Sequence, residues 1–194
     1  MAKLDKNSYK DDKRFLLLDR DGVINEEREN YVLDQSEFVF KDDFVANARL
    51  IGQYFDTVIV VTNQSCVGRG LISKEKLNTI HNEMIMNTGT YGLIIEKVYF
   101  ATGFDSNDPR RKPNSGMLYD IMKDFPCFRS NLACMVGNRT SDMQFAKTAG
   151  ITSIHYTNRG FEKSICPALV DVVMNDWYDF DNIMLSLNLG KLDN

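Results

Sequence analysis

The chain contains a short, continuously apolar run that ends in two aspartates and a glycine. The run is Phe15–Leu18, and Asp19, Asp21 and Gly22 follow it. Because every residue of the run is apolar, the pattern predicts a strand that is buried on both faces, as in a parallel sheet. Ligands bind at the carboxyl ends of strands in open α/β sheets, so we expect Asp19 and Asp21 to lie in a binding crevice. On these residues alone, a divalent-cation or acid/base site and a simple acidic turn both remain open.

Strand-like and helix-like segments alternate along the rest of the chain. Further strands are predicted near residues 57–61, 96–100, 132–136, 151–155 and 170–174. Helices are predicted near residues 43–55, 74–87, 115–124 and 141–149, with a short helix near the C-terminus. This alternation favours a three-layer, Rossmann-like α/β fold, in which a parallel sheet carries helices on both faces. Residues 23–42 show no strong helical pattern and are expected to form a long loop or a small hairpin over the crevice.

Polar residues with good capping chemistry precede three of the predicted helices. The candidate N-cap residues are Asp42 or Asp43, Ser73, and Thr140 or Ser141. Gly150 is placed to end the fourth helix in a left-handed conformation.

Length, charge and cysteine usage limit the class of protein. A chain of 194 residues suggests a single domain over residues 14–194, preceded by a flexible leader at residues 1–13. Lys and Arg number 23 and Asp and Glu 27, a balance that disfavours nucleic-acid binding through a broad basic field. There is no Cys-x-x-Cys pair, no secretory signal pattern and no apolar run of the ~20 residues that a membrane span needs. We therefore expect a cytoplasmic monomer or weak dimer with no nucleic-acid or membrane partner.

Distinctive polar clusters also follow the second, third and fourth predicted strands. They contain Thr62 and Asn63, then Arg111 and Lys112, then Asn138 and Asp142. Polar loops between buried strands explain the polarity of these clusters but not this choice of residue types. If the sheet is parallel, all four clusters meet at one edge of it.

The residue types that would meet at this edge are those that phosphate-ester hydrolysis needs. Asp19 can act as a nucleophile that forms an acyl phosphate, and Asp21 as a general acid and then a general base. Thr62 and Lys112 can hold phosphoryl oxygens and offset their charge. Mg²⁺, bound by carboxylate and carbonyl oxygens, would let anionic Asp19 approach an anionic phosphate. The clusters therefore predict a phosphate monoester hydrolase with a small phosphorylated substrate.

The four clusters resemble the four motifs of the haloacid dehalogenase (HAD) superfamily. The more specific matches are the segments DRDGVIN at 19–25, TNQSCVGRG at 62–70 and RKPNSGM at 111–117. They resemble the branch that contains histidinol-phosphate phosphatase and D-glycero-D-manno-heptose-1,7-bisphosphate 7-phosphatase. The resemblance covers roughly residues 15–156, and four motifs in order, each after a predicted strand, make it specific.

The resemblance implies a Mg²⁺-dependent phosphatase that works through an aspartyl-phosphate intermediate. The substrate that it implies first is a sugar phosphate such as D-glycero-D-manno-heptose 1,7-bisphosphate. It implies Asp19 and Asp21 as the catalytic pair. It implies a substrate-binding set of Thr62, Asn63, Arg69, Arg111 and Lys112. It implies a metal-binding set of Asp19, Asp21, Asn138 and Asp142.

The chain departs from the family pattern in ways that bear on function. Asn138 stands where the family has an aspartate ligand for Mg²⁺, so the metal should bind more weakly. Residues 101–111 lack the cysteines and histidine of the zinc loop found in many heptose-bisphosphate phosphatases, so no structural zinc is expected. The spacings from Asp21 to Thr62 and from Thr62 to Lys112 leave no room for a large cap domain.

Three alternative functions stay open at this point. The chain resembles histidinol-phosphate phosphatases as well as heptose-bisphosphate phosphatases. The Arg-Lys-Pro-x-x-Gly-Met pattern also occurs in nucleic-acid 3′-phosphatases, although the acidic net charge argues against that substrate. A HAD-like binding module whose turnover is impaired by Asn138 is the non-enzymatic alternative.

Overall fold

A single six-stranded parallel sheet organises the protein, whose computed structural model describes residues 13–157 and 165–192. The predicted leader at 1–13 therefore lies outside the described residues except for Lys13. The strands are β1 (Phe15–Leu18), β2 (Thr57–Asn63), β3 (Lys97–Ala101), β4 (Ala133–Gly137), β5 (Thr152–Tyr156) and β6 (Val172–Met174). Their order is β3-β2-β1-β4-β5-β6, and each neighbouring pair is parallel. The predicted Rossmann-like α/β fold is confirmed, with the strand order reversing at β1.

Among the described residues, six α-helices connect and cover the strands. They are α1 (Asp42–Ile51), α2 (Ser65–Gly68), α3 (Lys74–Thr90), α4 (Gly116–Asp124), α5 (Thr140–Ala149) and α6 (Phe180–Ser186). The four-residue helix α2 begins two residues after the end of β2. Within the described residues, no helix is both long and apolar enough to span a membrane.

Two of the predicted N-caps are wrong. Helix α1 is capped by Lys41, and Asp42 and Asp43 occupy its first turn, where carboxylates oppose the positive end of the helix dipole. The same helix ends at Ile51, four residues before the predicted end, because Gly52 follows it. Helix α5 is capped by Arg139 rather than by Thr140 or Ser141.

The other two predicted helix ends are confirmed. The Ser73 hydroxyl caps α3 by accepting from the Lys76 N–H at 3.1 Å. Gly150 ends α5 in the left-handed conformation, with a φ of 68°.

The two faces of β1 pack into two separate hydrophobic clusters. Leu16 and Leu18 join the cluster that contains Trp177, whereas Phe15 and Leu17 join the cluster on the opposite face of the sheet. All four β1 side chains are fully buried, which contributes about 1.5–3 kcal/mol for each side chain. This confirms the two-sided burial predicted from the apolar run, and it holds the end of β1 in place beside the site.

The segment between β1 and α1 is a long loop rather than a hairpin. Its order comes from one antiparallel bridge between Asn25 and Phe40 and from a 3-10 turn at Gln35–Glu37. The fully buried Trp177 donates its indole N–H to the Val23 carbonyl at 3.0 Å and anchors the loop on the core. Because this loop and helices α2 and α3 fill the two intervals where a cap could be inserted, there is no large cap domain among the described residues.

Candidate active site

A cavity of about 340 Å³ opens at the carboxyl edge of the sheet. It lies where the strand order reverses, because β1 sits between β2 and β4. Seven of the predicted site residues line it together: Asp19, Asp21, Thr62, Asn63, Arg111, Lys112 and Asp142. The loop after β1 contributes residues 27–31 to the same cavity.

Lys112 lies between two buried carboxylates at the base of this cavity. Its Nζ is 3.0 Å from Asp19 Oδ1 and 2.7 Å from Asp142 Oδ1, and it donates to the Val61 carbonyl at 2.5 Å. Each of the three charged side chains is at most 8% exposed. One ammonium is therefore shared by two anions away from water, which makes the cluster one unit of net charge −1 when all three are ionised.

Burial and the charges of this cluster shift the pKa values of Asp19 and Lys112. Burial and the neighbouring Asp142 carboxylate raise the pKa of Asp19 to about 6, against the opposing effect of Lys112. Burial alone would lower the pKa of Lys112, but Asp142 and Asp19 more than offset it, so the net shift is upward. Lys112 is thus held in its charged form, while Asp19 titrates close to neutral pH in the absence of a cation.

Asp21 is held by a different set of side chains. The Arg20 guanidinium donates to both of its carboxylate oxygens, with Nη2 at 2.9 Å from each. Gln64 donates to Oδ2 at 2.8 Å and Asn25 to Oδ1 at 3.0 Å. Burial would raise the pKa of Asp21, but Arg20 and these hydrogen bonds outweigh it and lower the pKa below its ordinary value. Asp21 and Asp19 therefore differ in protonation behaviour although one residue separates them.

Arg20 and His81 form a buried support behind Asp21 that the sequence analysis did not identify. Arg20 is fully buried, and its Nη1 lies 3.1 Å from His81 Nε2. Burial and the Arg20 charge lower the pKa of His81 to about 3, so His81 is neutral and accepts from Arg20. One signal was present in the sequence, since His81 follows Leu77 by four residues and precedes Met84 by three on the buried face of α3.

Side chains at the carboxyl end of β2 and just after it connect the residues of the site. Thr62 Oγ1 accepts from Gln64 Nε2 at 2.9 Å, which links it to the residue that also holds Asp21. Asn63 exchanges two hydrogen bonds with the Lys112 backbone, at 2.9 and 3.1 Å. Asn63 thereby places Lys112, and this contact uses both the donor and the acceptor of its amide.

The two predicted substrate-binding arginines lie in different places. Arg111 lines the cavity, and its Nη1 donates to the Gly103 carbonyl at 3.3 Å. Arg69 is exposed and does not line the cavity; its guanidinium lies 5.2 Å from the centroid of the Phe104 ring. The structure therefore brings Arg111 to the other site residues but leaves Arg69 outside them.

Asn138 lies beside a carboxylate that the sequence analysis did not single out. Its amide nitrogen donates to Glu27 Oε2, and the Arg139 guanidinium contacts the other oxygen of Glu27. Glu27 and Arg139 both line the cavity. Glu27 lies in a run of three acidic residues among four, 26–29, a pattern that is usual for a solvated loop, so its position carried no distinctive signal.

The oxygen atoms of the predicted metal ligands are engaged to different extents. Both oxygens of Asp21 accept hydrogen bonds, and Asp142 contacts Lys112 and the Arg139 N–H. The contacts of the Asp19 carboxylate involve Oδ1, and the buried Asn138 Oδ1 has no hydrogen-bond partner among the described residues. A free carboxylate oxygen and an orphaned amide oxygen are the donors that Mg²⁺ accepts, so these residues fit the cation. In the described part of the chain, no three acidic, histidine or cysteine side chains cluster as metal ligands.

Comparison with known proteins places this fold and site in one class, the HAD-like hydrolases. The family model described as HAD-hydrolase-like matches residues 109–166. A D-glycero-alpha-D-manno-heptose-1,7-bisphosphate 7-phosphatase of Burkholderia mallei is 35% identical over 149 residues, covering 71% of this chain and 76% of that protein. A D-glycero-beta-D-manno-heptose-1,7-bisphosphate 7-phosphatase of Rhodopseudomonas palustris is 28% identical over 163 residues, covering 80% of this chain and 89% of that protein.

A solved structure extends the match to the whole fold. The D,D-heptose 1,7-bisphosphate phosphatase of B. bronchiseptica, crystallised with magnesium and phosphate, superposes with a TM-score of 0.75 at 26% identity. The match covers 90% of this chain and 99% of that one. The chain belongs to the heptose-bisphosphate phosphatase branch of the HAD superfamily, and it is a phosphatase.

Proposed function

We propose that this phosphatase hydrolyses a phosphate monoester of a small sugar, D-glycero-D-manno-heptose 1,7-bisphosphate being the first candidate, with Asp19 as the nucleophile. The observation that carries the proposal is the placement of Lys112 between Asp19 and Asp142 at the base of an open cavity. An ammonium held there offsets the charge of a phosphoryl group brought against the nucleophile. The names of the relatives support the substrate, and since they include both anomers they leave the anomer open.

In the first half-reaction, Asp19 attacks the phosphorus atom and the ester oxygen leaves. The carboxylate must be ionised to attack, and its pKa of about 6 leaves a protonated fraction near neutral pH in the free protein. Thr62 and Lys112 line the cavity and would hold the phosphoryl oxygens. Asp21 donates a proton to the leaving oxygen. It must be protonated to do so, and the negative charge of a bound phosphate favours the protonated carboxyl by raising its pKa.

In the second half-reaction, Asp21 works as a base. Its pKa lies below the ordinary value, so it returns to the ionised form and takes a proton from the water that attacks the aspartyl phosphate on Asp19. The hydrogen bonds from Arg20 and Gln64 hold its carboxylate in one orientation during both steps. In this proposal, Asp21 is the positioned acid and base, and Asp19 is the residue that forms and loses the covalent bond.

Mg²⁺ is the cation that we expect in this site. Asp19 and Asn138 would hold it, Asn138 through the amide oxygen that has no partner among the described residues. The predicted Asp21 and Asp142 line the same cavity as Asp19. When bound, it supplies positive charge that lets an anionic carboxylate approach an anionic phosphate. The crystallisation of the B. bronchiseptica enzyme with magnesium and phosphate supports this assignment.

The cavity lining supports a substrate with more than one anionic group. Arg111 lines the cavity beside Lys112, and its recorded contact is a backbone carbonyl rather than an acid. A guanidinium in that position can form a bidentate pair with a second phosphate. Arg69 stays a predicted substrate ligand only if an extended substrate reaches beyond the cavity that the described residues form.

Phosphate release from a substrate panel tests the proposal. The panel contains both anomers of heptose 1,7-bisphosphate, histidinol phosphate and a 3′-phosphorylated oligonucleotide, each with Mg²⁺ and with chelator. We expect chelator-sensitive release, fastest from a heptose bisphosphate. Asp19→Asn, which is nearly isosteric, should lower the rate by about 10³-fold or more.

Two results would contradict the proposal. Full Mg²⁺-dependent activity of the Asp19→Asn variant would show that Asp19 is not the nucleophile. Faster release from histidinol phosphate or from the oligonucleotide would replace the sugar substrate by one of the alternatives considered from the sequence.

A further inference from the structure

Glu27 connects the loop after β1 to the two residues that follow β4. One of its oxygens accepts from the Asn138 amide nitrogen, and the other pairs with the Arg139 guanidinium. The Glu27 side chain is 12% exposed, although it belongs to a polar surface loop. A carboxylate so placed acts on Asn138 directly.

The chemistry of this contact decides which way the Asn138 amide faces. A carboxylate only accepts hydrogen bonds, so the NH₂ group of the amide must point at Glu27 and its oxygen must point away. That oxygen, Oδ1, is buried and has no partner in the described part of the chain. Asn138 does not itself line the cavity, but its two neighbours in this contact, Glu27 and Arg139, do. Buried polar atoms are nearly always satisfied, so an orphaned carbonyl oxygen beside this carboxylate-lined cavity indicates a ligand that the chain itself does not supply.

Gly22 makes this arrangement possible. Its φ is +79°, and a Cβ at this position would lie 2.1 Å from Asn138 Nδ2 and 2.3 Å from Glu27 Oε2. Any larger residue would separate the carboxylate from the amide. The missing side chain at Gly22 therefore leaves the space in which Glu27 and Asn138 make contact.

We propose that Glu27 is a positioning residue for the cation. It holds the Asn138 amide with its oxygen toward the metal, while its own negative charge is paired with the Arg139 guanidinium. The inference rests on the proposed Mg²⁺-dependent function and concerns residues that support the cation rather than the reacting atoms.

Mg²⁺ binding to the apoprotein, measured by titration calorimetry, tests the inference without any turnover. In Glu27→Gln the new side chain can donate as well as accept, so Asn138 can turn its oxygen away, and the charge is lost. We expect the Mg²⁺ dissociation constant to rise about 10- to 100-fold, the usual effect of removing a partner that orients a metal ligand. Glu29→Gln is the matched control, because Glu29 lines the same cavity but has no hydrogen-bond or ion-pair partner among the described residues.

The variant Asn138→Asp tests whether Glu27 acts by orienting the side chain at position 138 or only by stabilising the loop after β1. In the wild-type background it places a second carboxylate against Glu27, so like charges oppose each other and Mg²⁺ affinity should gain little. In the Glu27→Gln background the new side-chain amide at position 27 can donate to the new carboxylate, and affinity should return to the wild-type value or better. The gain from Asn138→Asp should therefore be at least about tenfold larger when Glu27 is absent.

A second measurement serves if Glu27→Gln does not fold. The apoprotein of Asn138→Asp should melt about 2–4 °C or more below wild type, and Mg²⁺ should remove the difference. An unchanged melting temperature would overturn the inference. So would equal effects of Glu27→Gln and Glu29→Gln on Mg²⁺ affinity, or equal gains from Asn138→Asp in both backgrounds. Absence of Mg²⁺ binding or hydrolysis in the wild type would instead overturn the proposed function.

Discussion

The Lys112 ammonium lies 3.0 Å from the Asp19 carboxylate, although the two residues come from loops after different strands. Asp19 directly follows β1, and Lys112 reaches it from beyond β3, across the intervening strand β2. The Asn63 side-chain amide forms two hydrogen bonds with the Lys112 backbone, and these hold Lys112 next to Asp19. This pair and the buried groups around it lead to four predictions about the stability and the activity of the protein.

Replacing Lys112 by methionine should destabilise the protein strongly. It leaves the Asp19 and Asp142 carboxylates buried together without a counter-charge, which costs about 3–5 kcal/mol in the free energy of unfolding. Urea denaturation of the apoprotein at pH 7 measures the loss. Lys147→Met is the control, because the ion pair of Lys147 with Asp171 is partly exposed to solvent and should contribute at most about 1 kcal/mol. Equal losses in the two variants would contradict the buried-cluster interpretation.

Asp19→Asn should stabilise the apoprotein in a pH-dependent way. The pKa of Asp19 is about 6 in the folded protein against an ordinary 3.8, so the folded state binds more protons in this interval. The stability contributed by Asp19 therefore falls as the pH rises from about 4 to about 6. We expect Asp19→Asn to equal wild type near pH 4 and to exceed it increasingly up to neutral pH, as measured by urea unfolding with chelator present.

Asp181→Asn supplies a control of opposite sign for that experiment. The Tyr54 hydroxyl donates to Asp181 at 2.6 Å and holds the pKa of this carboxyl below its usual range. Asp181→Asn should therefore lose stability at neutral pH, and the loss should shrink as the pH falls. A pH-independent difference for Asp19→Asn would contradict the raised pKa.

His81→Leu should lower both stability and turnover. It removes the acceptor of the buried Arg20 Nη1, and an unsatisfied buried donor costs about 1–3 kcal/mol. Turnover should fall because Arg20 orients the Asp21 carboxylate. His81→Gln keeps an acceptor on a side chain of similar length and should retain more of both. If the leucine and glutamine variants behave alike in kcat and in urea denaturation, the Arg20 contact is not the cause.

Gly22→Ala should be more harmful than Gly70→Ala. Both glycines have positive φ, 79° and 70°, so an alanine strains the backbone by about 1 kcal/mol or more at either position. Only at Gly22 would the added Cβ also collide with Asn138 and Glu27, whereas the space around Gly70 is open. We expect Gly22→Ala alone to lose Mg²⁺-dependent phosphate release. Similar activity of the two variants would show that the close contact at Gly22 is unimportant.

Much of the fold could be predicted because its signals are local. The run Phe15–Leu18 is apolar at every position, and the structure buries all four side chains. Each of the six strands was predicted to within about two residues, since β-branched and apolar runs between turn residues differ clearly from helical spacing. The wrong N-caps at Asp42 and Thr140 show the limit, because an acidic or hydroxyl side chain suits the first turn of a helix as well as its cap.

The sequence by itself determined the parallel α/β fold and the chemical class, through four polar clusters at the ends of four strands. Only the tertiary structure decided how the members of the site are held. Arg20 meets His81 across 61 positions of the chain, and Glu27 meets Asn138 across 111. Such pairs depend on the path of loops and on the shape of the backbone at Gly22, which hydrophobic periodicity does not encode. The residues proposed to contact the substrate are therefore readable along the chain, whereas those that orient them are found only once distant segments have packed together.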